Sequence, residues 1–287
     1  MSRILYTLFL AGVLLSCNND KEHSDKEQQD PTEKETHMPE SFNRISDHAV
    51  LSLGVTDIEE AEAFWKQLGF SEVDRGTEPD SWVLLTDQSV YLSLNEDDAQ
   101  YIGYLMYQPE LKAFLDTVDP NIPKQTQEIK GALMHLFISP DSNALGIVET
   151  QVTDNINEKK LTNYMHYVQQ GNFGLEKVDL PNAKLGIFGE LSYPVKDIQQ
   201  SITFWEKMGF HNDGLMQQPY PFAVMYDGQH IIGLHETQQF KQPGITYFAA
   251  DQSQNIKKLK DQAIRNIKER KISNYKLYVI NFRLVFN

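Results

Sequence analysis

From residue 45 onward, short apolar runs alternate with amphipathic stretches. Ala49–Val55 is a continuous apolar run of strand length. Ala61, Phe64, Trp65 and Leu68 then recur at helical spacing, with Asp57 as N-cap and Gly69 as the stop. Residues 82–85 and 90–94 predict two short strands joined across Asp87 and Gln88 as a hairpin turn. Together these read as one β-α-β-β-β unit. A looser unit follows: a strand over 101–107, a helix over 110–118 entered at Pro109, and strands over 132–138 and 144–150 around Ser139-Pro140-Asp141-Ser142-Asn143.

The whole pattern then repeats. Val55-Thr56-Asp57-Ile58 through Phe64-Trp65-Lys66-Gln67-Leu68-Gly69-Phe70 matches Val195-Lys196-Asp197-Ile198 through Phe204-Trp205-Glu206-Lys207-Met208-Gly209-Phe210, with seven identities in sixteen ungapped positions. The same register reaches Glu96 and Glu236 and adds Pro79/Pro219, Asp87/Asp227 and Leu94/Leu234. A period this long marks duplicated domains, since solenoid repeats run to about 50 residues at most. Trp65 and Trp205 hold the same helical core position. The second copy continues with a strand over 245–250, a helix over 256–268 that carries the basic run from Lys257 to Lys271, and a last strand over 276–286. It lacks a Pro-Asp turn before that strand, so either the final hairpin is shortened or the second sheet keeps an open edge.

The front of the chain has a different character. Arg3 precedes an apolar run over 4–15 that is too short to span a bilayer, and the run ends at Leu14-Leu15-Ser16-Cys17. This resembles the lipobox of bacterial lipoproteins, which implies cleavage after residue 16 and acylation of Cys17, the chain's one cysteine. An uncleaved signal-anchor is the alternative. Charged and amide residues dominate 18–44, which read as a disordered tether. The expected organisation is a signal peptide at 1–16, an acylated Cys and tether at 17–44, a first domain at 45–151, a linker at 152–183 with a candidate helix up to residue 170, and a second domain at 184–287. The expected location is the bacterial cell envelope, lipid-anchored at the outer membrane.

Composition narrows the function classes. With 26 Lys and Arg against 40 Asp and Glu the formal charge is -14, which disfavours nucleic acid, because that binding depends on neutralising phosphates. One Cys excludes a disulfide framework and Cys-based zinc sites. No glycine-rich phosphate loop, Ser-His-Asp arrangement or His-Glu-x-x-His helix is present. His135, in mid-strand, reads as structural.

The repeated Val-x-Asp-Ile…Phe-Trp-x-x-x-Gly-Phe segments, the strand ends Leu92-Ser93-Leu94-Asn95-Glu96 and Gly233-Leu234-His235-Glu236, and the turn at Pro140-Asp141 together resemble the vicinal-oxygen-chelate superfamily. That superfamily includes glyoxalase I, extradiol dioxygenases and bleomycin-resistance proteins. The resemblance implies an α+β fold of two tandem glyoxalase-like domains, each of two βαβββ modules curling round a cavity. It also implies a divalent-metal site built from His and Glu on the first and fourth strands of each module.

Carried over residue by residue, those positions hold Val50, Ser93, Ile102 and Gly146 in the first copy and Glu190, Gly233, Ile245 and Val285 in the second. The first copy therefore offers no strong metal ligand. Same-face neighbours in the second are Ser192, His235, Tyr247 and Arg283. Glu190 and His235 are its plausible catalytic pair, and its metal ligands if there are any. A salt bridge between Glu190 and Arg283 is the structural alternative. Gly233 frees volume, Tyr247 offers a flat face and a hydroxyl, and Arg283 suits a carboxylate; with Ser192 these form the expected ligand site. Closure of an apolar cavity is the competing role for Tyr104 and Tyr247. The favoured reading is a binder of a small planar or anionic molecule with no cofactor. A metal-dependent lyase, isomerase or dioxygenase and a non-catalytic envelope scaffold are the alternatives.

Overall fold

The computed structural model describes residues 44–250, apart from 79, 130, 153–154, 158–160, 171, 173 and 176–177, and then residues 256, 257, 259, 267–272 and 275–280. Cys17, tether residues 18–43 and Arg283 lie outside the described residues. Among those described, no helix is long and apolar enough to cross a membrane.

The first copy forms β1 (Ala49–Val55), α1 (Ile58–Gln67), β2 (Ser71–Gly76), β3 (Trp82–Thr86), β4 (Tyr91–Glu96), β5 (Ile102–Tyr107), α2 (Lys112–Leu115), β6 (Lys124–Ile129), β7 (Ala132–Ile138) and β8 (Ala144–Val148). These eight strands make one sheet in the order β2-β3-β4-β1-β5-β8-β7-β6. Within each module the outer strands of the unit pair in parallel, β1 with β4 and β5 with β8. The modules join antiparallel through β1 and β5. This is the expected paired βαβββ architecture.

The linker contributes α3 (Tyr164–Gln169). The second copy follows with β9 (Ile187–Pro194), α4 (Ile198–Lys207), β10 (His211–Met216), β11 (Phe222–Tyr226), β12 (Ile231–His235), β13 (Gly244–Phe248), β14 (Ile267–Ile272) and β15 (Tyr275–Ile280). Its order is β10-β11-β12-β9-β13-β15-β14. Here β13 pairs antiparallel with β15, where the first copy has a parallel partner. The final module is thus a hairpin beside β13, in line with the missing Pro-Asp turn. The helix expected over 256–268 stops short, because β14 begins at Ile267. Lys268, Arg270 and Lys271 fall on β14, a strand at the edge of the sheet.

The helices form as the sequence requires. Asp57 accepts a hydrogen bond from the Glu60 amide, and Asp197 from the Gln200 amide, each satisfying an orphan donor of the first turn. Gly69 and Gly209, at φ 99° and 80°, end α1 and α4 in the left-handed region. Trp65 and Trp205 are fully buried between helix and sheet; Trp65 meets Phe70 edge-on, and Trp205 stacks on Tyr193.

Strand alternation sends one face of each sheet to its helix and leaves the other as an inner face. The helix-bearing faces of both copies merge into one core, from Leu51, Leu53 and Trp65 to Leu191, Tyr193 and Trp205. The linker covers part of each inner face. Ile156, Val152 and Leu161 pack on Val50, Leu84 and Tyr91 of the first sheet, and the Tyr91 hydroxyl accepts from the Asn157 amide at 3.1 Å. Further on, Tyr164, Met165 and Val168 pack on Ile187, Tyr226 and Ile231 of the second.

Candidate functional site

The polar part of the second sheet's inner face is built on three adjacent strands. β9 supplies Glu190 and Ser192, β12 supplies Gly233 and His235, and β13 supplies Thr246. The parallel pairing of β9 with β12 sets Gly233 beside Ser192, and the antiparallel pairing with β13 sets Thr246 beside Glu190. Glu190 and His235 are only 5% and 4% exposed.

These side chains form one hydrogen-bonded network. Nε2 of His235 lies 2.8 Å from Oε1 of Glu190, and Oγ of Ser192 donates to the same oxygen at 2.7 Å. With the Ser192 proton so used, Oγ1 of Thr246 is the donor in its 2.6 Å contact with Ser192. On the far side of the ring, Nδ1 of His235 meets the Tyr220 hydroxyl at 3.4 Å. Three aromatic rings enclose the imidazole: Phe222 is stacked at 5.9 Å and 8°, Phe240 lies edge-on at 5.4 Å, and Tyr220 completes the set.

Gly233 has a specific purpose in this arrangement. A Cβ built there would lie 2.3 Å from the carboxylate carbon and from both oxygens of Glu190. The space expected for a ligand above Gly233 therefore holds the Glu190 carboxylate. Glu190, Ser192, Gly233 and His235 come together on this face.

Tyr247 does not join them. Its strand is in the opposite phase, so Ile245 and Tyr247 face the helix-bearing core and Thr246 faces inward. The Tyr247 hydroxyl is fully buried and donates to Oδ2 of Asp87 in the other sheet at 2.7 Å. Burial, reinforced by that carboxylate, holds the phenol well above its ordinary pKa. Tyr104 is placed likewise: its hydroxyl donates to the Ile231 carbonyl of the second sheet at 3.2 Å. Both tyrosines belong to the seam between the copies. Arg283 lies outside the described residues.

Sequence reasoning missed Thr246, Tyr220, Phe222 and Phe240. The register of β11 on β12, which sets Phe222 against His235, was the signal available for one of them.

At the matching place in the first sheet, Val50 and Ser93 replace Glu190 and Gly233. Asn95, in the position of His235, donates to Ser52 at 3.0 Å and accepts from Ser93 at 3.2 Å. His135 is buried in β7, its Nδ1 3.1 Å from Thr126, and stands apart from this neutral network.

A divalent metal at the second inner face would look to Glu190 and His235. The nitrogen and oxygen that would ligate it are committed to each other, and the nearby hydroxyls are hydrogen-bonded within the network. Among the described residues no three His, Cys, Asp or Glu side chains gather to hold a metal ion. The described donor set does not make a site of the three protein ligands usual for a catalytic metal.

No protein-family model matches the chain, and no curated protein does. Solved structures do match. Homoprotocatechuate 2,3-dioxygenase from Arthrobacter globiformis is 14% identical, with TM-score 0.51 over 80% of this chain and 73% of that one. A variant of homoprotocatechuate 2,3-dioxygenase from Brevibacterium fuscum is 15% identical, with TM-score 0.51 over 83% and 69%. A Mn(II)-bound glyoxalase from Novosphingobium aromaticivorans is 13% identical, with TM-score 0.50 over 82% and 78%. The likeness is one of fold.

Proposed function

We propose that this chain binds a small planar molecule at the inner face of its second sheet, without a metal, and that its first sheet has a structural role. The observation that carries this reading is the buried Glu190–His235 pair. The first copy fills the equivalent places with Val50 and Asn95, so the fold does not need a carboxylate there. Burying a carboxylate against an imidazole gives little net stability, which points to recognition as the reason for keeping it. The Phe222–His235 stack favours a flat ligand. Glu190, an acceptor when ionised, favours one with N–H donors over an anion. The lipobox-like residues ending at Cys17 and the polar tether support attachment to the bacterial envelope by acyl chains.

The test is a thermal-shift screen of the full-length chain with planar heteroaromatic amines and amides, run beside metal analysis by mass spectrometry. A compound that raises Tm in the parent, and fails to in Glu190→Gln and His235→Ala, supports the proposal. About one transition metal per chain, stripped by Glu190→Gln, would replace it with a metal-dependent lyase, isomerase or dioxygenase. That second reading draws on the Glu190–His235 contact itself, within a fold whose structural neighbours include a Mn(II)-bound glyoxalase. A screen without a single shift would leave a scaffold.

A further inference from the structure

Where the two copies meet, a cleft of about 460 Å³ opens between the β4–β5 loop and β7–β8 turn of the first sheet and the segments after β9 and β12 of the second. That volume suits a small organic ligand, and it exists only because both copies are present.

Three features of its wall point to one ligand chemistry. The first is Asn143, which lines the cleft, is 8% exposed, and has no hydrogen-bond partner for its Nδ2. A buried amide donor left unpaired is unfavourable, so the site is short of one acceptor. The second is a surplus of positive charge. Lys196 and Lys241 line the cleft, and neither is within ion-pair distance of a carboxylate among the described residues. The one acidic lining residue, Asp141, has both oxygens engaged: Oδ1 accepts from the Lys196 amide at 2.8 Å and Oδ2 from the Ser201 hydroxyl at 2.5 Å. The third is an aromatic wall made of Tyr101, 40% exposed, and Phe240.

We propose that this cleft is a binding site for a small carboxylate with an aromatic or other apolar body. The carboxylate accepts from Asn143 and lies between the ammonium groups of Lys196 and Lys241, while the body rests on Tyr101 and Phe240. Phe240 also meets His235 edge-on, so the cleft abuts the Glu190–His235 network, but the proposal does not depend on the reading given to that network. Charge divides the two: the inner face presents a carboxylate, the cleft presents cations.

Titration calorimetry of the full-length chain with benzoate, cyclohexanecarboxylate and benzamide tests the proposal. Both acids should bind, and neutral benzamide should bind at least about tenfold more weakly. The double variant Lys196→Gln/Lys241→Gln, both exposed positions, should weaken benzoate about tenfold or more with an unchanged circular dichroism spectrum. Tyr101→Ala should weaken it about fivefold or more. The proposal is overturned if neither acid binds at about 10 mM, if benzamide equals benzoate, or if the double lysine variant keeps full affinity.

Discussion

The Glu190 carboxylate lies in the volume that any side chain at position 233 would need, 2.3 Å from the point where a Cβ would stand. The two positions therefore act as one steric unit. The first copy solves the same packing problem with the opposite choice, a compact Val50 and a side chain at Ser93.

Gly233→Ser alone should destabilise the protein by about 1–3 kcal/mol, through overpacking of a carboxylate that has nowhere to move. Glu190→Val alone takes from buried His235 its Nε2 partner, at a cost of about 1–3 kcal/mol. The double variant recreates the first copy's pairing, and its cost should fall below the sum of the singles by at least about 1 kcal/mol. Urea denaturation of the three variants measures this; strict additivity would sink the idea.

The seam gives a second expectation. Asp87 accepts from the Ser89 amide and hydroxyl and the Val90 amide through Oδ1, and from Asn182 and Tyr247 through Oδ2. Tyr247→Phe removes one of these donors and should cost about 1–2 kcal/mol, whereas Asp87→Ala orphans the whole set and should cost about 3 kcal/mol or more. Denaturant midpoints would check the order. If Tyr247 were a ligand contact with no part in the seam, its loss would scarcely alter stability.

A third concerns pH. Burial pushes the Asp213 carboxyl up to about 6, against a smaller opposing pull from His211. An acid with a raised folded-state pKa takes up a proton on folding, so its penalty is full above 6 and disappears as pH falls through the ordinary carboxylate range. Asp213→Asn should therefore raise stability by on the order of 1–2 kcal/mol well above 6, and by almost nothing in acid. A gain that is the same at every pH would contradict this.

A fourth tests the linker's cover over the first inner face. Ile156→Asp puts a charge among Val50, Leu84 and Tyr91 and should lift the segment from them. Binding of a hydrophobic dye should rise while the far-ultraviolet spectrum keeps its shape. Dye binding like that of the parent would mean the segment is not what shields this face.

Much of the fold is legible in the sequence because duplication repeats the strongest signals: an apolar strand, an Asp cap, the Phe-Trp pair and a glycine stop. The strands that escape notice, β2, β6, β10 and β14, all lie at sheet edges. Segments such as Lys124–Ile129 and Ile267–Ile272 are polar because an edge must not invite another chain, and this erases the alternation that would reveal a strand. The site is legible on β9 and β12, where Glu190, Ser192 and His235 mark one face. It is misread on β13, because Gly244–Phe248 is apolar enough on both faces to hide its phase. A shift of one residue then exchanges Thr246 for Tyr247.

The linker that crosses both sheets is tethered to the protein at each end, so its effective concentration at the first inner face is on the order of millimolar or higher. Any free molecule competing for Val50, Leu84 and Tyr91 would have to outbid a resident peptide that never diffuses away. The first copy is in this sense already saturated, with its own chain as the permanent ligand, and selection on its inner face acts to fit that peptide.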